Sequence, residues 1–396
     1  MIDRALSDEQ QMLGESVERM LKSCYTFDER RRILQRGDGC DAQRWQTFAQ
    51  LGLLGMPFSP DHGGSGAGAI ETMVVMKAFG RHLVVEPYLP TVVLAGAALR
   101  HAGSAELRQR LIPQIVAGHT RLAFAHSEPQ SRYHLAHVAT TAVRQGASWE
   151  LNGHKSVVLG AGQADHLIVS ARTSGNTLSP NGISLFMVER RTPGLTLTDY
   201  PCVDGTRAAE LVFQQVRIPQ DSYLGEIDRA LPVIEQVMDE ACAALCAEAT
   251  GAMLALNEKT LEYTKTRTAF GQAVASFQVI QHRLVDMRVA CEYAQAMALM
   301  AAQAAIGPAE RRQRAVSAAK FMIGRDSKFV AQNAIQLHGA IGITDELDIS
   351  HYFKRITAIG VLLGSPDHHL RRFWNLWRGN SAVTRATGCA ASGAEA

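Results

Sequence analysis

Little in this chain would staple it, anchor it or give it one dominant charge. Its seven cysteines are odd in number and form no C-x-x-C pair, so neither a disulfide framework nor a zinc ribbon is indicated. Cys242 and Cys246 share a helix face at i,i+4 spacing, but two sulfurs alone make no metal site and they read as core residues. No uninterrupted apolar run approaches the roughly 20 residues of a membrane helix. Neither charge prevails, with 40 basic and 38 acidic side chains and a net charge of +2. That balance gives no reason to expect nucleic acid or a membrane surface. The opening MIDRALSDEQQ carries acids and no apolar stretch, unlike a secretory signal, and the cytoplasm is the expected compartment. What is present is a chain of 396 residues, 46% hydrophobic. At roughly 100–200 residues per domain, it has room for two or three cores.

Texture divides it further. Residues 1–118 read as helices: Ser7 stands where a cap belongs, and Met12, Val17, Met20 and Leu21 recur at helical spacing. From 119 to 226 come short β-rich runs separated by Gly, Asn, Pro and Ser clusters, the pattern of a β barrel or sandwich. Residues 227–382 return to long helices rich in Ala, Leu and Met, and 383–396 reads as a flexible tail. The loop SPDHGGSGAG fits no phosphate-binding motif and reads as a helix connection. The expected fold class is therefore α+β: an N-terminal helical domain, a middle β domain and a C-terminal helical bundle.

Three strings carry a resemblance. TKTRTAFGQAVASFQVIQHRLVDM is similar to the R-x-x-F-G…Q segment of acyl-CoA dehydrogenases, QLHGAIGITDEL to their Q-x-x-G-G-x-G turn, and AFAHSEPQSRY to their flavin-binding strand. The matches keep the family's order and spacing across nearly the whole chain. Strings such as SEPQSRY and SAAKFMIGR resemble pimeloyl-CoA dehydrogenase small subunits within that family. The resemblance implies FAD, an acyl-CoA substrate and electron-transfer flavoprotein as electron acceptor. It also implies a homodimer or homotetramer, or a heterotetramer with a larger homologous subunit. Carried over residue by residue, it puts Phe124, His126, Ser127, Tyr133, Val157 and Leu159 at the flavin ring. It puts Arg267, Phe270, Gln278, Gln336, Gly339, Ala340, Gly342, Ser365 and Asp367 along the rest of the cofactor, with Arg267 reaching a neighbouring subunit's flavin. Alone, Arg267 reads as a cation at a helix C-terminus; a planar guanidinium there also suits a diphosphate. Period-2 alternation expects Phe124 and His126 on one face and Ser127 on the other.

Departures from the pattern bear on the chemistry. The family's loop glutamate falls on Leu363, which accepts no proton, although Gly364 and Ser365 hold the register. The alternative family position, on the first long C-terminal helix, falls on Ala241. Its neighbour Glu240 shares a helical strip with Val233, Val237, Ala244 and Gly251. There, a desolvated carboxylate with raised pKa would suit a general base. Glu240 reads equally as a structural carboxylate paired with an arginine from another helix. Asp239 is expected in solvent, and Val237, Ala241, Ala244 and Tyr133 against substrate. His368 and His369 read as surface or interface residues, and no metal site is expected. The leading expectation is FAD-dependent α,β-dehydrogenation of an acyl-CoA. A non-catalytic partner subunit and a flavin oxidase or monooxygenase are the alternatives.

Overall fold

The computed structural model describes residues 6–390. Six helices come first: α1 (Asp8–Cys24), α2 (Phe27–Arg36), α3 (Ala42–Gln50), α4 (Ala69–His82), α5 (Gly96–Ala102) and α6 (Ala105–Val116). Local chemistry sets their ends. Ser7 and Gln10 form a reciprocal capping box on α1, Thr26 caps α2, and Gly37 closes α2 at φ 80°.

The chain then forms β1 (Leu122–Ala125), β2 (Thr141–Gln145), β3 (Ser148–Leu159), β4 (His166–Arg172), β5 (Ile183–Glu189), β6 (Leu195–Pro201), β7 (Arg207–Pro219) and β8 (Tyr223–Leu224). They make one sheet in the order β6-β7-β3-β2-β4-β5-β8, with β1 parallel to β4. Alternation serves two cores. Ala123, Ala125, Leu167 and Val169 join Leu151, Phe186 and Leu211 in a core of the sheet's own. Leu122, Phe124, Ile168 and Leu185 point the other way, into the core shared with the helices.

The C-terminal part holds α7 (Leu231–Thr266), a short hairpin of β9 (Thr268–Ala269) and β10 (Gln272–Ala273), then α8 (Gln278–Ala304), α9 (Ala309–His338), α10 (Asp348–Val361) and α11 (Pro366–Ala390). Helix α11 runs through the segment expected to be a flexible tail as far as Ala390, while 391–396 lie outside the described residues. Helix α7, 36 residues long, is the axis of the molecule, about 54 Å at 1.5 Å per residue. It crosses α4 backbone to backbone. A Cβ added at Gly80 would stand 1.9 Å from the Glu248 carbonyl oxygen, and one at Gly251 1.9 Å from that of Lys77. Only glycine fits at either position.

Buried charge joins the three parts. Arg355 of α10 donates from Nε and Nη2 to both oxygens of Glu248 on α7, at 2.5 and 2.7 Å. Its Nη1 donates to Asp204, in the turn between β6 and β7, at 2.7 Å. Arg30 of α2 donates to the Asp204 and Leu83 carbonyls at 2.8 and 2.9 Å. All four side chains are nearly inaccessible. Removing the central cation strands two carboxylates. Arg355→Met is expected to lower unfolding stability by about 3–5 kcal/mol, read as a shifted urea midpoint.

Candidate functional site

A cavity of about 570 Å³ lies between the sheet and the C-terminal helices. Its sheet wall is Phe124, His126 and Ser127 at the end of β1, with Ser156, Val157 and Leu159 of β3. Phe124 and His126 do share a face, their rings 6.1 Å apart at 19°. Ser127, expected on the opposite face, lines the same cavity, because β1 ends at Ala125 and the alternation ends with it. Val157 sits at a break in the β3–β7 register with φ 54°. That conformation is costly for a β-branched residue and is typical of functional positions.

Behind this wall is a dry polar network. Lys155 is fully buried and donates to Glu128 Oε1 at 2.6 Å, Ser170 Oγ at 3.0 Å and the His126 carbonyl at 3.2 Å. Glu128 also accepts from the backbone N–H groups of Ala139 and Thr140, at 2.8 and 3.0 Å. Burial works against its charge, but Lys155 and these donors hold the carboxyl down at about 2. Burial, and then the Lys155 charge, push the His126 imidazole down to about 3, so it faces the cavity neutral. The Glu-Pro of the string SEPQSRY is thus the anchor of the strand's end.

The opposite wall is one face of α7: Leu231, Glu235, Met238, Asp239 and Cys242. Val237 and Ala241, expected against substrate, are fully buried on other faces, and Ala244 lines a small separate pocket with Glu240. A single step along a helix turns the side chain by about 100°, so these positions face away from the cavity that Met238, Asp239 and Cys242 line. Glu240 is partly buried and paired, as its structural reading expects. Arg100 reaches it at 2.5 Å, His101 at 2.7 Å and Gln236 at 2.6 Å. Burial alone would raise its pKa, but the His101 hydrogen bond and the Arg100 charge outweigh burial and leave it below the ordinary value. Asp239, expected in solvent, is buried and held by Arg312 at 3.0 Å and Arg372 at 2.6 Å. Burial raises the Glu235 carboxyl.

The third side is closed by the turn after α10 and the start of α11. Tyr133 donates to the Val361 carbonyl at 3.0 Å and its ring lies 5.1 Å from that of His368. Leu363, where the resemblance expects a loop glutamate, lines the cavity. His368 and His369 line it too, and His369 is buried rather than at the surface. Neither His369 nor Cys242 was legible as a cavity residue. The only hint was proximity in sequence to Leu363, because contact between α7 and α11 is tertiary.

The remaining predicted residues lie elsewhere. Arg267 caps α7 in an exposed position, and Phe270 is 96% exposed at φ 52° in the hairpin that follows. Gln278 opens α8. Exposed Gln336, Gly339 and Ala340 lie at the end of α9, and Gly342 is packed against His338. The ends of α7 and α9 meet, since Tyr263 stacks on His338 at 4.3 Å and donates to its carbonyl. Arg267 and Gly339 therefore share one end of the bundle. Ser365 accepts from the His368 N–H at 3.3 Å, and Asp367 is exposed on α11; neither lines the cavity.

A helical domain, a sheet and a helical bundle with a large cavity between them define the class, and comparison with known proteins gives the family. Models of the acyl-CoA dehydrogenase N-terminal, middle and C-terminal domains match residues 7–119, 123–216 and 230–373. The long-chain specific acyl-CoA dehydrogenase of Mus musculus mitochondria is 30% identical over 322 residues, 77% of this chain and 72% of that protein. The structure of an acyl-CoA dehydrogenase from Geobacillus kaustophilus superposes with a TM-score of 0.87 at 26% identity, covering 94% of this chain and 98% of that one. An FAD complex of PigA superposes with a TM-score of 0.86 at 26% identity, covering 93% and 97%. The chain belongs to the acyl-CoA dehydrogenase family.

The sheet wall has a pH signature. His126 and Glu128 bind fewer protons folded than unfolded, so the protein loses stability as pH falls, from 6.5 towards about 3 for His126 and from 4.5 towards about 2 for Glu128. Glu128 contributes roughly 2–3 kcal/mol of that loss. Acid-unfolding curves of a Glu128→Gln/Lys155→Met double variant are expected to be correspondingly flatter.

Proposed function

We propose that this chain binds FAD with the flavin ring in the 570 Å³ cavity and dehydrogenates an acyl-CoA thioester at its α and β carbons, passing the electrons to electron-transfer flavoprotein. The observation that carries the reading is the cavity's place: it opens along Phe124, His126 and Ser127, the segment whose sequence matches the family's flavin strand. The residues fit a flat, partly polar ring. Phe124, Val157 and Leu159 offer apolar surface, Ser127 and Ser156 offer hydroxyls, and His126 is neutral, so it puts no second cation beside the ring. When bound, FAD supplies the two-electron acceptor for the substrate's β-hydride. The chain's own residues do the rest. Tyr133 and Val361 bar one side of the cavity, Leu363 and Met238 keep water from the α carbon, and Arg267 presents a guanidinium to a diphosphate on a neighbouring copy.

A second reading is favoured by Leu363 in place of the loop glutamate and by Glu240 being tied to Arg100 and His101. It makes this chain the partner of a larger homologous subunit that supplies the base. Flavin content and assembly size of the purified chain separate the two. A yellow homo-oligomer bleached anaerobically by an acyl-CoA supports the enzyme, and a colourless chain that gains flavin only with its larger partner supports the subunit. In either case Arg267→Ala is expected to weaken FAD retention about tenfold or more, the loss of one charge-assisted contact. Unchanged retention would remove Arg267 from the cofactor site.

A further inference from the structure

The cavity holds one cluster that family position does not assign, at the end where Leu363 leaves a proton acceptor missing. Cys242 of α7 lines the cavity, and its Sγ lies 3.9 Å from His369 Nε2. The same Nε2 lies 2.9 Å from the Leu363 carbonyl oxygen. A carbonyl only accepts, so Nε2 carries hydrogen, and towards that N–H the sulfur of Cys242 can only accept. The other ring nitrogen, Nδ1, is buried without a hydrogen-bond partner among the described residues, and His369 is only 2% exposed. A polar ring atom left bare in so dry a place is uncommon and marks a functional position.

We propose that Cys242, its sulfur held by the Nε2–H of His369, is the cavity's proton acceptor, in the place of the family's carboxylate. The proposal rests on the acyl-CoA reading above. The sulfur takes the α-proton, so a Cα–H bond breaks and an S–H bond forms. The electron pair released becomes the Cα=Cβ π bond as the β-hydride leaves to the oxidised flavin. The substrate is oxidised by two electrons, the flavin is reduced by two, and the thiol's proton leaves to solvent by way of the cavity.

The surroundings favour the thiolate. Cys246 lies one turn further along α7, Lys320 approaches from α9, and His368 and His369 from α11. A hydrogen bond from Cys246 comes first among the effects on Cys242; with the neighbouring His369 and Lys320 it overcomes burial and holds this thiol well below its ordinary pKa. Burial, with His369 beside it, lowers His368 to about 4, so His368 stands neutral beside the sulfur. The nearest cavity carboxylates compete poorly. Asp239 is held by Arg312 and Arg372, and Glu235 stands two helical turns, roughly 10 Å, from Cys242 along α7.

Two readings of the full chain test this. In alkylation by iodoacetamide followed by mass spectrometry, Cys242 is expected to react at mildly acidic pH about tenfold or more faster than an ordinary thiol, and His369→Ala to remove that excess. Absence of labelling in the native chain, or the pH profile of a free thiol, overturns the pair. In the flavin-loaded chain, Cys242→Ser and His369→Gln are expected to retain flavin and to slow bleaching by an acyl-CoA about a hundredfold or more. Variants that bleach like the wild type overturn the role of Cys242 and leave the acyl-CoA reading standing. A wild-type chain that is labelled but never bleached overturns both.

Discussion

The architecture depends on one desolvated guanidinium. Arg355 is surrounded by Glu248 of the central helix and Asp204 of the sheet, and Asp204 in turn receives Arg30 from the N-terminal helices through its carbonyl. Each charge is costly to bury alone, and together they satisfy one another. Apolar packing tolerates sliding, whereas a bidentate pair fixes distance and angle. The junction of the three domains is therefore set by geometry as well as by area buried.

That fixed junction makes the cavity possible. One wall is a strand end, held from behind by Glu128 and Lys155, and the other is a helix about ten turns in length. Close crossing at Gly80 and Gly251 leaves α7 unable to shift towards or away from the N-terminal domain. The cavity's chemistry is then divided. The sheet side is neutral and partly hydroxylated, and the helix side carries paired acids, a thiol and two imidazoles. A planar group against the first wall would leave the reacting end of a substrate facing the second.

Much of this was legible in the sequence, because local signals and global fold agree. Ser7 caps α1 as its side chain implies, and the β-rich runs from RLAFAHS to AELVFQQVRI correspond to strands. Phe124, His126 and Tyr133, picked out on a strand and a following turn, do line the cavity. The site was not legible on α7. There the choice between Glu240 and Cys242 depends on which helix face meets which neighbour, and periodicity alone does not tell one buried face from another in a helix that is apolar almost all round. Arg100 and His101, which claim Glu240, come from a helix about 140 residues earlier in the chain. His368 and His369 read as surface residues because adjacent polar side chains on a helix usually are, yet α11 lies over the cavity and takes them inside.

The claim that the cavity between the sheet and α7 is the flavin site is tested most directly by hydrogen–deuterium exchange of the chain with and without FAD. The account predicts slowed exchange in the segments 122–135, 156–159 and 361–369, together with 267–278 and 336–342, the segments proposed to reach the cofactor of a neighbouring copy. Protection confined to other segments, with the cavity walls exchanging as before, would contradict it.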